Sequence, residues 1–106
     1  MSEIQAAAAR LIHQNRNRRG DTKLLARARE IQSSDKVLRT YTTRSGHELA
    51  EIMGSNGEIY EVWFYNSGRV FCQYSFFNGL DPRGRQQVGC KHVLADALLL
   101  IQRVSS

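Results

Sequence analysis

Two strands and the turn between them are predicted by residues 58–77, which read EIYEVWFY, NSG and RVFCQYSFF. Aromatic and β-branched side chains alternate along residues 59–65 with the period of two that is typical of a strand. Asn66-Ser67-Gly68 is a hairpin turn signal. In the returning strand the same alternation places Cys72 and Tyr74 on one side of the sheet. The prediction of the rest of the fold starts from this hairpin.

Two further strands are predicted before the hairpin. Residues 37–43 are rich in β-branched and aromatic side chains, which favour strands. Residues 48–53 also fit a helix, because Leu49-Ala50-Glu51-Ile52 does not alternate strictly. We favour a strand there, since Asn56-Gly57 follows and Asn-Gly is a strong hairpin signal. The expected sheet is therefore antiparallel, with about four strands.

A final helix is predicted for residues 90–103, where apolar side chains recur at helical spacing from residue 93 to residue 101. We expect its apolar face to pack on the sheet. The core is expected where the two meet, at Trp63, Phe64, Phe71 and Leu98.

Two helical stretches open the chain. Ser2 is the predicted N-cap of the first, with Gln5 completing a capping box. The second is expected to begin after Asp21 as N-cap and to end at Ser33-Ser34-Asp35. Residues 15–20, NRNRRG, predict either a break between two helices or a bend. The fold class is therefore α+β: an N-terminal helical hairpin or bent helix, a small antiparallel sheet and a C-terminal helix packed on it.

Length and composition limit the possible classes of protein. The chain has 106 residues and two cysteines. One domain is expected over residues 1–106, with a basic helical segment at 1–34 and the sheet and last helix at 36–106. No apolar run reaches the length of a membrane span, and the first residues do not resemble a secretory signal. We therefore expect a cytoplasmic protein whose thiols are free or metal-bound, with a Cys72–Cys90 disulfide as the less favoured alternative.

Positive charge is concentrated in the first half of the chain. Residues 1–44 contain 10 Lys and Arg against 4 Asp and Glu, whereas residues 45–106 contain 5 against 6. A basic surface rich in arginine suits phosphates or an acidic protein surface; a helix that is merely solvated is the simpler alternative. The residues expected to contact a nucleic acid or an acidic partner are Arg16, Arg18, Arg19, Lys23 and Arg27, with Arg83 and Arg85 from a later loop.

Cys72, Cys90 and His92 have the spacing of metal ligands. Cys-x-His at the start of an apolar helix presents a thiolate and an imidazole together, and the hairpin can bring Cys72 to the same point. These three ligands are one short of a closed tetrahedral zinc site. Tyr74 is a poor fourth ligand, so the candidates for that position are Asp81, His47, His13 and water. The alternative is a metal-free core in which the two thiols act as small apolar groups.

This stretch resembles the SWIM domain, a zinc-binding module with the pattern Cys-x-Cys, a variable loop and Cys-x-His. Cys72 matches the first cysteine, and Cys90 with His92 matches the closing pair, whereas the second cysteine is replaced by Tyr74. The resemblance spans roughly residues 24 to 101. It implies nucleic-acid and protein binding in place of one particular reaction, and a zinc site that has lost a ligand. We expect the metal-free form, with one zinc as the alternative.

An enzyme is the less favoured class. A cysteine with His92 would supply a nucleophile and a base, but no third residue that would orient the base is identifiable. We expect a small non-enzymatic binding protein with a degenerate SWIM-like fold that associates with nucleic acid through its basic N-terminal half. The alternative is an adaptor or inhibitor of a protein partner, of the kind that phages and other mobile elements encode.

Overall fold

Three helices and two antiparallel sheets make up the computed structural model, which describes residues 2–73 and 91–105. The predicted α+β class is confirmed. Within these ranges, no helix is both long enough and apolar enough to cross a membrane. The elements in chain order are α1 (Glu3–Gln14), β1 (Arg16–Asn17), β2 (Gly20–Asp21), α2 (Lys23–Ser33), β3 (Val37–Thr42), β4 (Glu48–Met53), β5 (Ile59–Phe64), β6 (Val70–Cys72) and α3 (Lys91–Ser105).

The predicted capping box starts α1. The backbone N–H of Gln5 donates to the Ser2 hydroxyl oxygen at 3.2 Å, and the N–H of Ser2 donates to the Gln5 side-chain oxygen at 3.3 Å. Two of the N–H groups that a helix start leaves unpaired are satisfied in this way. The apolar face that follows, from Ile4 to Ile12, is buried in the main core.

A short hairpin, not a bend, separates the first two helices. Arg16 pairs with Asp21 and Asn17 with Gly20, which has a positive φ of 111°. Asp21 is therefore not the N-cap of α2, and that prediction is wrong, because its backbone belongs to β2. The cap is Thr22, whose hydroxyl accepts from the N–H of Leu25 at 3.3 Å.

The four-stranded sheet has the order β3-β4-β5-β6, and every neighbouring pair is antiparallel. Residues 48–53 form a strand, so the preference for strand over helix is confirmed. Gly57 and Gly68 adopt positive φ values of 82° and 90° in the two hairpin turns that the sequence predicted. The continuation of the last strand that was predicted for residues 74–77 lies outside the described residues.

The two faces of this sheet have different environments. Ile52, Val62 and Phe64 are buried on the inner face, which packs against α3. Trp63 alternates with these residues and pairs with Phe71, which is 37% exposed. Trp63 and Phe71 therefore lie on the outer face, and the prediction that they meet the last helix is wrong, whereas that for Phe64 is confirmed.

Helix α3 lies between the sheet and the other two helices, because both α1 and α2 pack on it. Leu98 lines a groove with Ala9 and Ile12 of α1, so it faces that helix and not the sheet as predicted. The side of α3 that meets the sheet carries polar groups: the ring of His92 lies 5.1 Å from that of Tyr60, and Arg103 bonds to β4. A helix covered on both sides does not have the single apolar stripe on which the prediction rested.

Candidate nucleic-acid interface

Four of the predicted contact residues form an exposed basic surface, which we call the basic flank: Arg18, Arg19, Lys23 and Arg27. Arg18 and Arg19 occupy the turn between β1 and β2, and Lys23 begins α2 after β2 and the N-cap Thr22. Lys23 and Arg27 are four residues apart and so share one side of the helix. None of the four has a salt bridge to another described residue.

Arg16 differs from the basic flank because its charge is partly neutralised. It lies 3.5 Å from a carboxylate oxygen of Asp21, and Arg29 bonds to the other oxygen of the same carboxylate. The hydrogen bond from Arg29, with the charges of Arg29 and Arg16, holds the pKa of Asp21 below its usual value. Two arginines thus share one carboxylate, and Arg16 has less charge to offer a ligand.

The basic surface continues from Arg27 into a groove of about 340 Å³. Lys36, from the start of the sheet, and Lys91, from the start of α3, also line the groove, and Glu30 is its acidic member. Sequence reasoning missed both lysines, because their positions near Arg27 depend on how three separate elements pack. Arg83 and Arg85, which were predicted to contribute, lie outside the described residues.

Two of the predicted metal ligands lie in the layer between the sheet and α3. Cys72, on the inner face of β6, is 2% exposed, and His92, in the first turn of α3, is 1% exposed. Cys72 pairs with Val62, two residues along β5 from the Tyr60 ring that His92 contacts. Their placement is compatible with a shared site. The third ligand, Cys90, lies outside the described residues.

The histidines considered as fourth ligands lie elsewhere. His47 accepts a hydrogen bond of 3.0 Å from the N–H of Asn66, and its ring lies 6.4 Å from that of Trp63 on the outer side of the sheet, opposite to Cys72. His13 lines a groove beside Leu98, about 9 Å along α3 from His92 at 1.5 Å per residue. Asp81 and Tyr74 are not among the described residues. Within the described ranges, no group of three His, Cys, Asp or Glu residues could hold a metal ion.

A buried acidic residue that sequence reasoning missed, Asp96, lies one turn along α3 from His92. Asp96 is 2% exposed, and its Oδ2 has no hydrogen-bond partner among the described residues. Burial raises the pKa of Asp96 to about 7, while the charge of Arg103 lowers it and that of Glu48 raises it. Arg103 donates to Glu48 at 3.3 Å and also bonds Thr40. The signal in the sequence was a single acidic residue within the apolar run VLADALLLI.

Comparisons with protein-family models, with curated proteins and with solved structures find no match for this chain. The resemblance to SWIM domains therefore stays a hypothesis drawn from Cys72, Cys90 and His92. A functional proposal has to be argued from the surfaces themselves.

Proposed function

We propose that the protein binds nucleic acid through the basic flank, which contacts backbone phosphates. The observation that carries this proposal is the exposure of four cationic side chains with no salt bridge to another described residue. Three of the four are arginines, whose planar fork of donors matches the oxygens of a phosphate. Lys36 and Lys91 extend the surface by a second patch of the same charge.

Binding through this surface is expected to be independent of sequence. Contacts to phosphates fix the position of a protein on a nucleic acid, but they do not read its bases. The basic residues come from the turn of a short hairpin, one helix flank and the rim of a groove, and the proposal rests on their charge, which phosphates of any sequence would attract. The function that these residues support is general affinity for a polyanionic backbone.

The test compares two variants of the basic flank. In the first, Arg18, Arg19, Lys23 and Arg27 are all replaced by alanine; in the second, the three arginines are replaced by lysine, which keeps the charge. Binding of a labelled duplex at low salt should be lost in the alanine variant and largely retained in the lysine variant, since point charges still attract phosphates. Thermal melting of both variants should stay close to that of the unmodified protein, because exposed charges contribute little to stability.

A gain of affinity provides the complementary test. Replacing Asp21 with Asn removes the carboxylate that now neutralises Arg16 and Arg29. Both guanidinium groups then become available to phosphates, so duplex affinity should rise. Unchanged or weaker binding by Asp21→Asn would show that Arg16 and Arg29 do not contact phosphates.

The alternative function is docking to an acidic protein surface. The lysine variant distinguishes this function from binding to phosphates. Arginine holds a carboxylate through two parallel hydrogen bonds, which lysine cannot form. If the lysine variant loses its partner as completely as the alanine variant does, and nucleic acid is not retained at low salt, the basic flank is a protein-docking surface.

A further inference from the structure

Aromatic rings are clustered on the outer face of the four-stranded sheet, on the side away from the helices. Trp63 and Tyr65 lie with their ring centroids 5.6 Å apart and nearly parallel, at 28°. The rings of His47 and Tyr65 are nearly perpendicular, at 76°, with their centroids 5.1 Å apart. Phe71 is the cross-strand partner of Trp63. These four rings, from β5, the residue after it, β6 and the turn before β4, form what we call the aromatic patch.

The aromatic patch is partly open to solvent. Phe71 is 37% exposed, a large fraction for a phenylalanine in a strand, while Trp63 and Tyr65 are half-buried. A groove of about 310 Å³ runs between His47, Tyr65, Arg69 and Phe71. Its volume is at the lower end of the range for small-molecule sites, which suits one planar ring better than a whole cofactor.

The position of His47 is fixed by its hydrogen bonds. The N–H of Asn66 donates to Nδ1 of the imidazole at 3.0 Å, and the backbone N–H of His47 donates to the Thr43 hydroxyl at 3.0 Å. The first bond joins the β3–β4 and β5–β6 turns, the second fixes His47 within its own turn, and together they hold the imidazole beside Tyr65. The wall of the groove is therefore pre-organised, which lowers the entropic cost of binding a ligand.

The outer face is positively charged near the turns that contain His47 and Tyr65. Arg69 lines the groove itself, and Arg44 is exposed in the neighbouring turn; neither has a salt bridge to another described residue. Arg39 lies over the ring of Tyr41 at 4.5 Å and within 3.8 Å of Glu51. A ligand that suits this surface combines flat rings with negative charge.

We propose that the aromatic patch binds single-stranded nucleic acid, with bases stacked on Tyr65 and Phe71 and a phosphate held by Arg69. Bases with a free face stack on aromatic side chains whatever their sequence, and cations alongside follow the backbone. A duplex keeps the faces of its bases within its own stack, so it cannot use this surface. The proposal deepens the proposed function and shares its ligand class, but it concerns a different side of the molecule.

Trp63 provides a built-in probe, because it is the single tryptophan of the sequence. Titration with short oligo(dT) and oligo(U) at low salt should quench its fluorescence, whereas a duplex of equal length should leave it nearly unchanged. The two oligonucleotides separate a preference for DNA from one for RNA, and either response supports the proposal.

Two substitutions at Phe71 separate base stacking from general apolar contact. Phe71→Ala should weaken single-strand affinity by about 5- to 150-fold, the range found when a stacking ring is removed. Phe71→Leu keeps an apolar side chain but no ring, and it should lose nearly as much. Ile59→Ala, which changes an apolar residue that is 52% exposed at the other end of β5, is the matched control and should bind normally.

The outcomes also separate this proposal from the function proposed above. If the alanine variant of the basic flank loses duplex binding while Phe71→Ala binds single strands normally, the aromatic patch is not a nucleic-acid site and the basic flank is. If single-stranded oligonucleotides quench the fluorescence of Trp63 in the alanine variant of the basic flank, the aromatic patch binds them without the basic flank. Normal oligonucleotide binding by Phe71→Leu would overturn the stacking proposal, because an apolar side chain without a ring would then serve as well.

Discussion

The side chain of Asp96, in α3, is buried. Its pKa of about 7, raised by burial, compares with an ordinary value of 3.8. The folded protein therefore keeps this proton up to about pH 7, whereas the unfolded chain loses it above about pH 4. Stability should fall as pH rises between these two values and should then level off. The full difference is about 4 kcal/mol at 1.36 kcal/mol per unit.

Replacing Asp96 with Asn isolates this contribution. The amide cannot ionise, so the variant should be more stable than the unmodified protein at pH 8, by up to a few kcal/mol, and the difference should shrink toward pH 5. Urea unfolding of both proteins at the two pH values measures it, and groups that titrate elsewhere cancel in the comparison. An equal stability difference at pH 5 and pH 8 would show that Asp96 is already ionised in the fold.

Whether the protein holds zinc depends on a few side chains. Cys72 and His92 are both buried beside an apolar core that spans helices and sheet, and such a core can support the fold without metal. We expect purified protein to contain much less than one zinc per chain, and a chelator to leave the melting temperature nearly unchanged. Elemental analysis and a melting curve with chelator measure both.

One zinc per chain together with unfolding in chelator would contradict that expectation. A structural zinc contributes on the order of 10 kcal/mol to folding in small domains, so its removal would be obvious. In that case Tyr74→Cys should bind zinc more tightly, because it restores the thiolate that the resemblance to SWIM domains places there.

At the scale of elements, local signals predicted most of the architecture. The capping box at Ser2, the turn at Asn66-Ser67-Gly68 and the alternation along β5 each concern neighbours in sequence, and the structure has all three. The N-cap of α2 was placed one residue too early, because Asp21 and Thr22 are both good caps and the hairpin decides between them. Helix α3 packs on the sheet as predicted, but the position of Leu98 was predicted wrongly, because it depends on α1, which is distant in the sequence.

Leu98 tests how α3 packs. It is 5% exposed and lies against Ala9 and Ile12 of α1. Leu98→Ala should therefore reduce the free energy of unfolding by roughly 2–5 kcal/mol, the range for a buried leucine. Ile59→Ala, at a residue that is 52% exposed, should change it by no more than about 0.5 kcal/mol. Similar small losses for both variants in chemical denaturation would show that α3 and α1 do not share a core.

At the scale of the whole molecule, the two proposed binding surfaces lie on different sides. Helix α2 packs on α3, which packs on the inner face of the sheet, so the aromatic patch opens away from the helices. The basic flank could be predicted from composition, since arginines are concentrated in the first half of the chain. The aromatic patch could not, because strand register brings Phe71 beside Trp63, and only the meeting of two turns brings His47 to Tyr65.

The dependence of duplex affinity on salt tests the central claim most directly. Each phosphate contact adds about −0.9 to the slope of log affinity against log salt concentration, because it releases counterions. The unmodified protein should therefore show a steep slope. Alanine at Arg18, Arg19, Lys23 and Arg27 should flatten it by up to about 3.6, four times the contribution of one contact. No retention of the unmodified protein on DNA or RNA at low salt, or an unchanged slope in the variant, would contradict the account.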